Sequence, residues 1–272
     1  MVRPMRLLSL AKWLVPFGIV CTAFAQQLPR RDAAPQPPTT AAPPPVVPPP
    51  LFFREAWKQT GPEHGVTAES VTNPNLELKL YDPFAKSIPA NQQSPPPGSR
   101  TGDWGGPSCI QMAGNNQNPA PAQVTQGAPT DPPNLWTGVC ASPVAATLRD
   151  KNNYVDLTGL AKIRWVTRVS GFHAVRPVLK LADGTWLVGD HKDGEASTNS
   201  TLFLESEFSI TAVRWLALDI TRVVTRGFWV EKPDLSKVDE AGFADVMPGS
   251  GHGWGGFVNV ARFEVYGKPV KR

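Results

Sequence analysis

The sequence has no cluster of lysine and arginine, no long apolar run after its first 25 residues, and no long window of helical periodicity. Each absence excludes something. Nucleic-acid recognition needs basic side chains concentrated on one face, and here they are dispersed. The formal net charge of +4 includes Arg3, Arg6 and Lys12; without them 24 basic residues oppose 23 acidic ones. No later segment approaches the roughly 20 apolar residues that a membrane-spanning helix requires. Without amphipathic helical stretches, helical bundles and doubly wound α/β folds are excluded. Histidine (4) and cysteine (3) are scarce. Cys109 and Cys140 have no histidine near them, so the spacing of a structural zinc site is missing. Gly249-Ser250-Gly251 lacks the lysine of a phosphate loop.

What is present begins with an export signal. Arg3, Arg6 and Lys12 precede the mostly apolar run from Trp13 to Ala23, and Ala23-Phe24-Ala25 supplies the small residues read by a signal peptidase. Residues 1–25 are therefore expected to be removed, placing the protein in the periplasm or outside the cell. Cleavage takes Cys21 away. The two cysteines left in an oxidising compartment are expected to pair, Cys109 with Cys140. Residues 26–50 follow as a spacer: nine of the sixteen residues from Pro35 to Pro50 are proline, which favours extended polyproline II over a packed fold. The N-terminal region is thus expected to be disordered or extended, and the folded domain to span 51–272.

Inside that domain, residues 85–134 are rich in Pro, Gly, Asn and Gln and read as a low-complexity insert, attached through Trp104, Cys109 and Ile110. Elsewhere the pattern is that of strands. Leu76, Leu78 and Leu80 alternate with Glu77 and Lys79, and Ile163, Trp165, Thr167 and Val169 alternate with Lys162, Arg164, Val166 and Arg168. Asp183-Gly184 between Val178–Leu181 and Trp186–Val188 signals a hairpin. Turn residues at sandwich-like intervals predict an all-β fold, a β-sandwich of jelly-roll type. Trp165, Trp186, Trp215 and Trp229 are expected in its core.

Two polar regions exceed what a core needs. One runs from Arg168 through His173 and Arg176. The other is the glycine-rich stretch from Asp245 to Phe257, displaying His252 and Trp254. Trp254, His252, Asp245, His173 and Arg176 are the candidate ligand-binding set; His173, Arg176, Asp245 and His252 would be the polar centre of an enzyme. Asp190, Asp193 and Glu195 form a possible calcium cluster without EF-hand spacing. A zinc site from His173, His191 and His252 would require three loops to converge. Glu205 and Glu207 share a strand face and read as a solvated edge, and no pair of acids shows the spacing of a glycosidase.

The phrase Phe257-Val258-Asn259-Val260-Ala261-Arg262-Phe263-Glu264-Val265-Tyr266-Gly267 resembles the closing strand of galactose-binding-like jelly-roll domains, and Val155–Leu160 before an alternating strand fits the same superfamily. The resemblance covers the chain from about Leu135 onward. It implies a sandwich that binds sugars through loops at one end, often with a structural calcium. A weaker similarity is to secreted sugar-processing sandwich proteins, including keto-sugar hydrolases. Three functions follow as expectations: an exported non-catalytic carbohydrate-binding protein, a secreted enzyme acting on glycosides or keto-sugars, and a structural envelope protein with no small ligand.

Overall fold

A computed structural model of the chain describes residues 47–58, 66–83, 108–114, 131–138, 140–194, 202–252 and 256–272. The expected signal segment, residues 26–46 of the expected spacer, Trp104, Glu195 and Trp254 lie outside the described residues. Within them the sequence forms two antiparallel sheets. The first contains β1 (Leu51–Glu55), β3 (Gln111–Ala113), β4 (Asn134–Trp136), β7 (Lys162–Ser170), β11 (Leu204–Ser209) and β15 (Phe257–Tyr266), in the order β11-β7-β15-β4-β3 with β1 on β15. The second contains β2 (Leu76–Tyr81), β5 (Val144–Asp150), β8 (Ala174–Leu181), β9 (Trp186–Gly189), β12 (Trp215–Asp219), β13 (Val224–Trp229) and β14 (Val238–Asp245), in the order β13-β12-β9-β8-β14-β5-β2. Short strands β6 (Asn153–Asp156), β10 (Asp193–Gly194) and β16 (Lys268–Lys271) extend it.

The expected alternation sets the core. Ile163, Trp165, Thr167 and Val169 are all buried, and Leu179, Ala241 and Phe243 face them from the second sheet in one continuous cluster with Phe263 and Val265. Trp165 is held by its indole as well as its area: Nε1 donates to Asp193 Oδ2 at 2.5 Å and to Ser206 Oγ at 2.6 Å. The Asp183-Gly184 hairpin forms between β8 and β9, with Gly184 at φ +90°, a conformation glycine adopts freely. Glu205 pairs with Arg164 and Arg262, and Glu207 with Lys162, along the β11 edge.

Part of the 85–134 segment is core. Ile110, Met112 and Ala113 are buried, and β3 pairs with β4. The Cys109–Cys140 disulfide is present, with Cα atoms 5.2 Å apart. No helix among the described residues is long and apolar enough to cross a membrane. Trp229 departs from its expected core position, as does Trp186 in part: Trp229 keeps 38% of its surface exposed and Trp186 is half-buried. Trp229 lies on β13, the last strand of its sheet among the described residues.

Candidate functional site

Asp245 ends β14, and its backbone pairs with Val175 on β8. Alternation therefore sends its carboxylate to the same side as Phe243, toward the sandwich interior. His173 arrives from the turn joining β7 to β8, where Gly171 takes φ +70° and Phe172 stands 67% exposed at the tip. His252 comes from the loop after β14. That loop folds through a turn in which Ser250 N donates to Met247 O at 2.8 Å and Met247 N to Gly251 O at 3.0 Å. Ser250 adopts φ +59°, and its hydroxyl is engaged by Thr225, through N at 2.8 Å and Oγ1 at 2.7 Å. The loop is thereby tied to β13.

The three side chains meet. His173 Nδ1 lies 2.8 Å from Asp245 Oδ2, and His252 Nε2 stands 3.4 Å from the same oxygen, near enough for an ion pair without hydrogen-bond alignment. The imidazoles are 4.6 Å apart and edge to face. Side-chain exposure is 1% for His173, 1% for Asp245 and 6% for His252. Burial alone would push the Asp245 carboxyl up. The hydrogen bond with His173 and the close approach of His252 outweigh it, bringing the group down to about 2. Thr137 Oγ1 donates to Asp245 Oδ2 at 2.6 Å and accepts from Val258 N at 2.9 Å. Gly256 makes the close packing possible, because a Cβ there would sit 2.5 Å from His173 Cδ2 and 2.2 Å from Ser170 O.

Despite these bonds, His173 Nε2, His252 Nε2 and Asp245 Oδ1 are buried without a hydrogen-bond partner among the described residues. Each buried polar atom left so costs about 1–3 kcal/mol.

Arg176 does not belong to this centre. It pairs across the sheet with Ala244, one residue from Asp245, and so points to the opposite face, where its Nε donates to Gly189 O at 2.8 Å. The four-residue enzymatic centre is therefore not assembled. Of the three residues expected to touch ligand with it, His173 and Asp245 are buried and His252 is half-buried. The described carboxylates of the calcium cluster serve different partners: Asp193 Oδ2 accepts from Trp165, Ser206 and Thr167, while Asp190 Oδ1 accepts from Arg214 N. His191 is likewise elsewhere, stacked on Phe208 with ring centroids 3.8 Å apart.

Sequence reasoning missed a second feature. A cleft of about 330 Å³ opens between the turn Ile210–Ala212, the start of β12 and the segment after β13. Trp229 walls it, with the Arg214 guanidinium 3.8 Å above the ring centroid. Thr211, Glu231 and Lys232 add polar groups. Among the described residues, neither Arg214 nor Lys232 has a carboxylate in ion-pair range. The only available signal was Trp229 itself, adjacent to Phe228 in a strand that is exposed along its second half. No family model matches this chain, and no curated protein matches it.

Proposed function

We propose that the chain is an exported, non-catalytic carbohydrate-binding β-sandwich protein whose sugar contact is the cleft beside Trp229. The exposed indole in a cleft lined by both apolar and charged side chains carries this reading. A pyranose ring presents a C–H face that packs against an aromatic surface, while its rim of hydroxyls needs fixed donors and acceptors. Arg214 covers one face of Trp229, which keeps 38% of its surface exposed; Arg214 and Lys232 donate, Glu231 accepts and Thr211 does either. The cleft volume lies at the lower end of the range for small-ligand pockets, suited to one or two sugar rings. The closing-strand phrase of the galactose-binding-like domains falls on β15 and supports the same reading. The disulfide agrees with an oxidising destination.

A glycan array probed with the full exported chain tests the proposal. Binding is expected in the wild type and lost in Trp229→Ala, with unfolding changed by less than about 1 kcal/mol, as for a surface substitution. Binding retained in both Trp229→Ala and Arg214→Gln would move the site away from this cleft.

A further inference from the structure

The end of β14 that carries Asp245 holds a donor set suited to a metal ion. Two imidazoles and one carboxylate place one ligand atom each within 4.8 Å of one another. A tetrahedral ion with bonds of about 2.0–2.1 Å needs its ligand atoms roughly 3.3 Å apart. The 2.8 Å and 3.4 Å separations around Asp245 Oδ2 are on that scale. Of the partnerless atoms, His252 Nε2 belongs to this set and Asp245 Oδ1 is the second oxygen of the same carboxylate.

We propose that His173, Asp245 and His252 bind a divalent transition-metal ion of the zinc class. Calcium is disfavoured by chemistry, since it takes six to eight oxygen ligands, whereas borderline ions accept imidazole nitrogen together with carboxylate oxygen. The surroundings are those of a supported site. Thr137 fixes the carboxylate that both histidines approach, and Thr137 is itself held by Val258 N and by Cys140 N, which donates to its carbonyl at 2.9 Å. Outer partners of this kind orient metal ligands. Ser250 ties the His252 loop to Thr225, and Gly256 admits the His173 ring. The three ligands come from the β7–β8 turn, the end of β14 and the loop after it, so the ion joins segments distant in sequence. With side chains this deeply buried, its role is to hold the loop end together. This inference is independent of the sugar cleft.

Calorimetry with zinc alone, on the full exported chain with its disulfide intact, tests it. One equivalent should bind and raise the melting temperature, while calcium does neither. Asp245→Asn and His252→Gln should each weaken zinc at least tenfold. Because a buried substitution can unfold the domain, wild-type protein loaded with cobalt(II) gives a second readout: the intense visible bands of a tetrahedral site. Absence of zinc binding and of any melting shift in the wild type overturns the proposal. So does zinc binding unchanged in both folded variants, or a cobalt spectrum of octahedral character.

Discussion

Glu55 is fully buried, and its carboxylate accepts from Ala56 N, Trp57 N, Thr72 N, Thr72 Oγ1 and Asn73 N. One side chain thus closes the backbone of two segments, the end of β1 and the residues after the turn Ala68–Ser70. Removing the acceptor strands several N–H groups, so Glu55→Ala should cost about 2–4 kcal/mol by urea denaturation; a variant as stable as wild type would mean that water replaces the carboxylate. Trp165→Ala should cost about 3–5 kcal/mol, since it empties a core volume and frees Asp193 of a donor. Gly256→Ala must move either the Ser170 carbonyl or the His173 ring. It should therefore weaken zinc binding in calorimetry, and wild-type affinity in that variant would show that the ring has slack. Residues like Trp165 are legible from alternation alone. Glu55 and Gly256 are not, because their roles depend on backbone brought from elsewhere in the chain.

At the scale of elements, β14 is the organising strand: it is flanked by β8 and β5, and a register shift between Val238 and Glu240 brings Asp239 against Arg149, Lys180 and Arg272. Burial raises the Asp239 carboxyl, but hydrogen bonds from Arg149, Arg272 and Lys180 prevail and hold it down to about 2, against an ordinary 3.8. A folded value below the unfolded one favours the charged native state. This contribution is complete above about pH 4 and is lost as pH falls through about 2. Asp239→Asn should flatten the loss of urea midpoint across that window, and an unaltered pH profile would remove Asp239 from the account. The disulfide closes a span of 31 residues, and its reduction should lower stability by about 3–4 kcal/mol in denaturation measured with and without reductant. Long strands such as β7 and the β8–β9 hairpin are legible because period and turn chemistry agree. Strands of two to four residues such as β10, β3 and β16 show no period, being shorter than the window that would reveal it.

The whole molecule holds two kinds of polar site: a His–Asp–His centre at the Asp245 end of β14 and an open aromatic cleft beside β12 and β13. The sequence singled out His173, Asp245 and His252 as chemically unusual, and the fold brings them together. It could not reveal that they face inward while Arg176, one residue out of phase with the Val175 that pairs with Asp245, faces away. Nor could it reveal that Trp229 sits on the last strand of its sheet among the described residues, because exposure of a strand depends on which strands flank it. The most direct test of this separation is one glycan-binding titration performed on wild type and Trp229→Ala, each with and without a zinc chelator. The account predicts wild-type binding that is indifferent to the chelator and no binding in Trp229→Ala under either condition. Glycan binding that survives in Trp229→Ala and disappears with the chelator would contradict it, placing the sugar at the histidine centre instead.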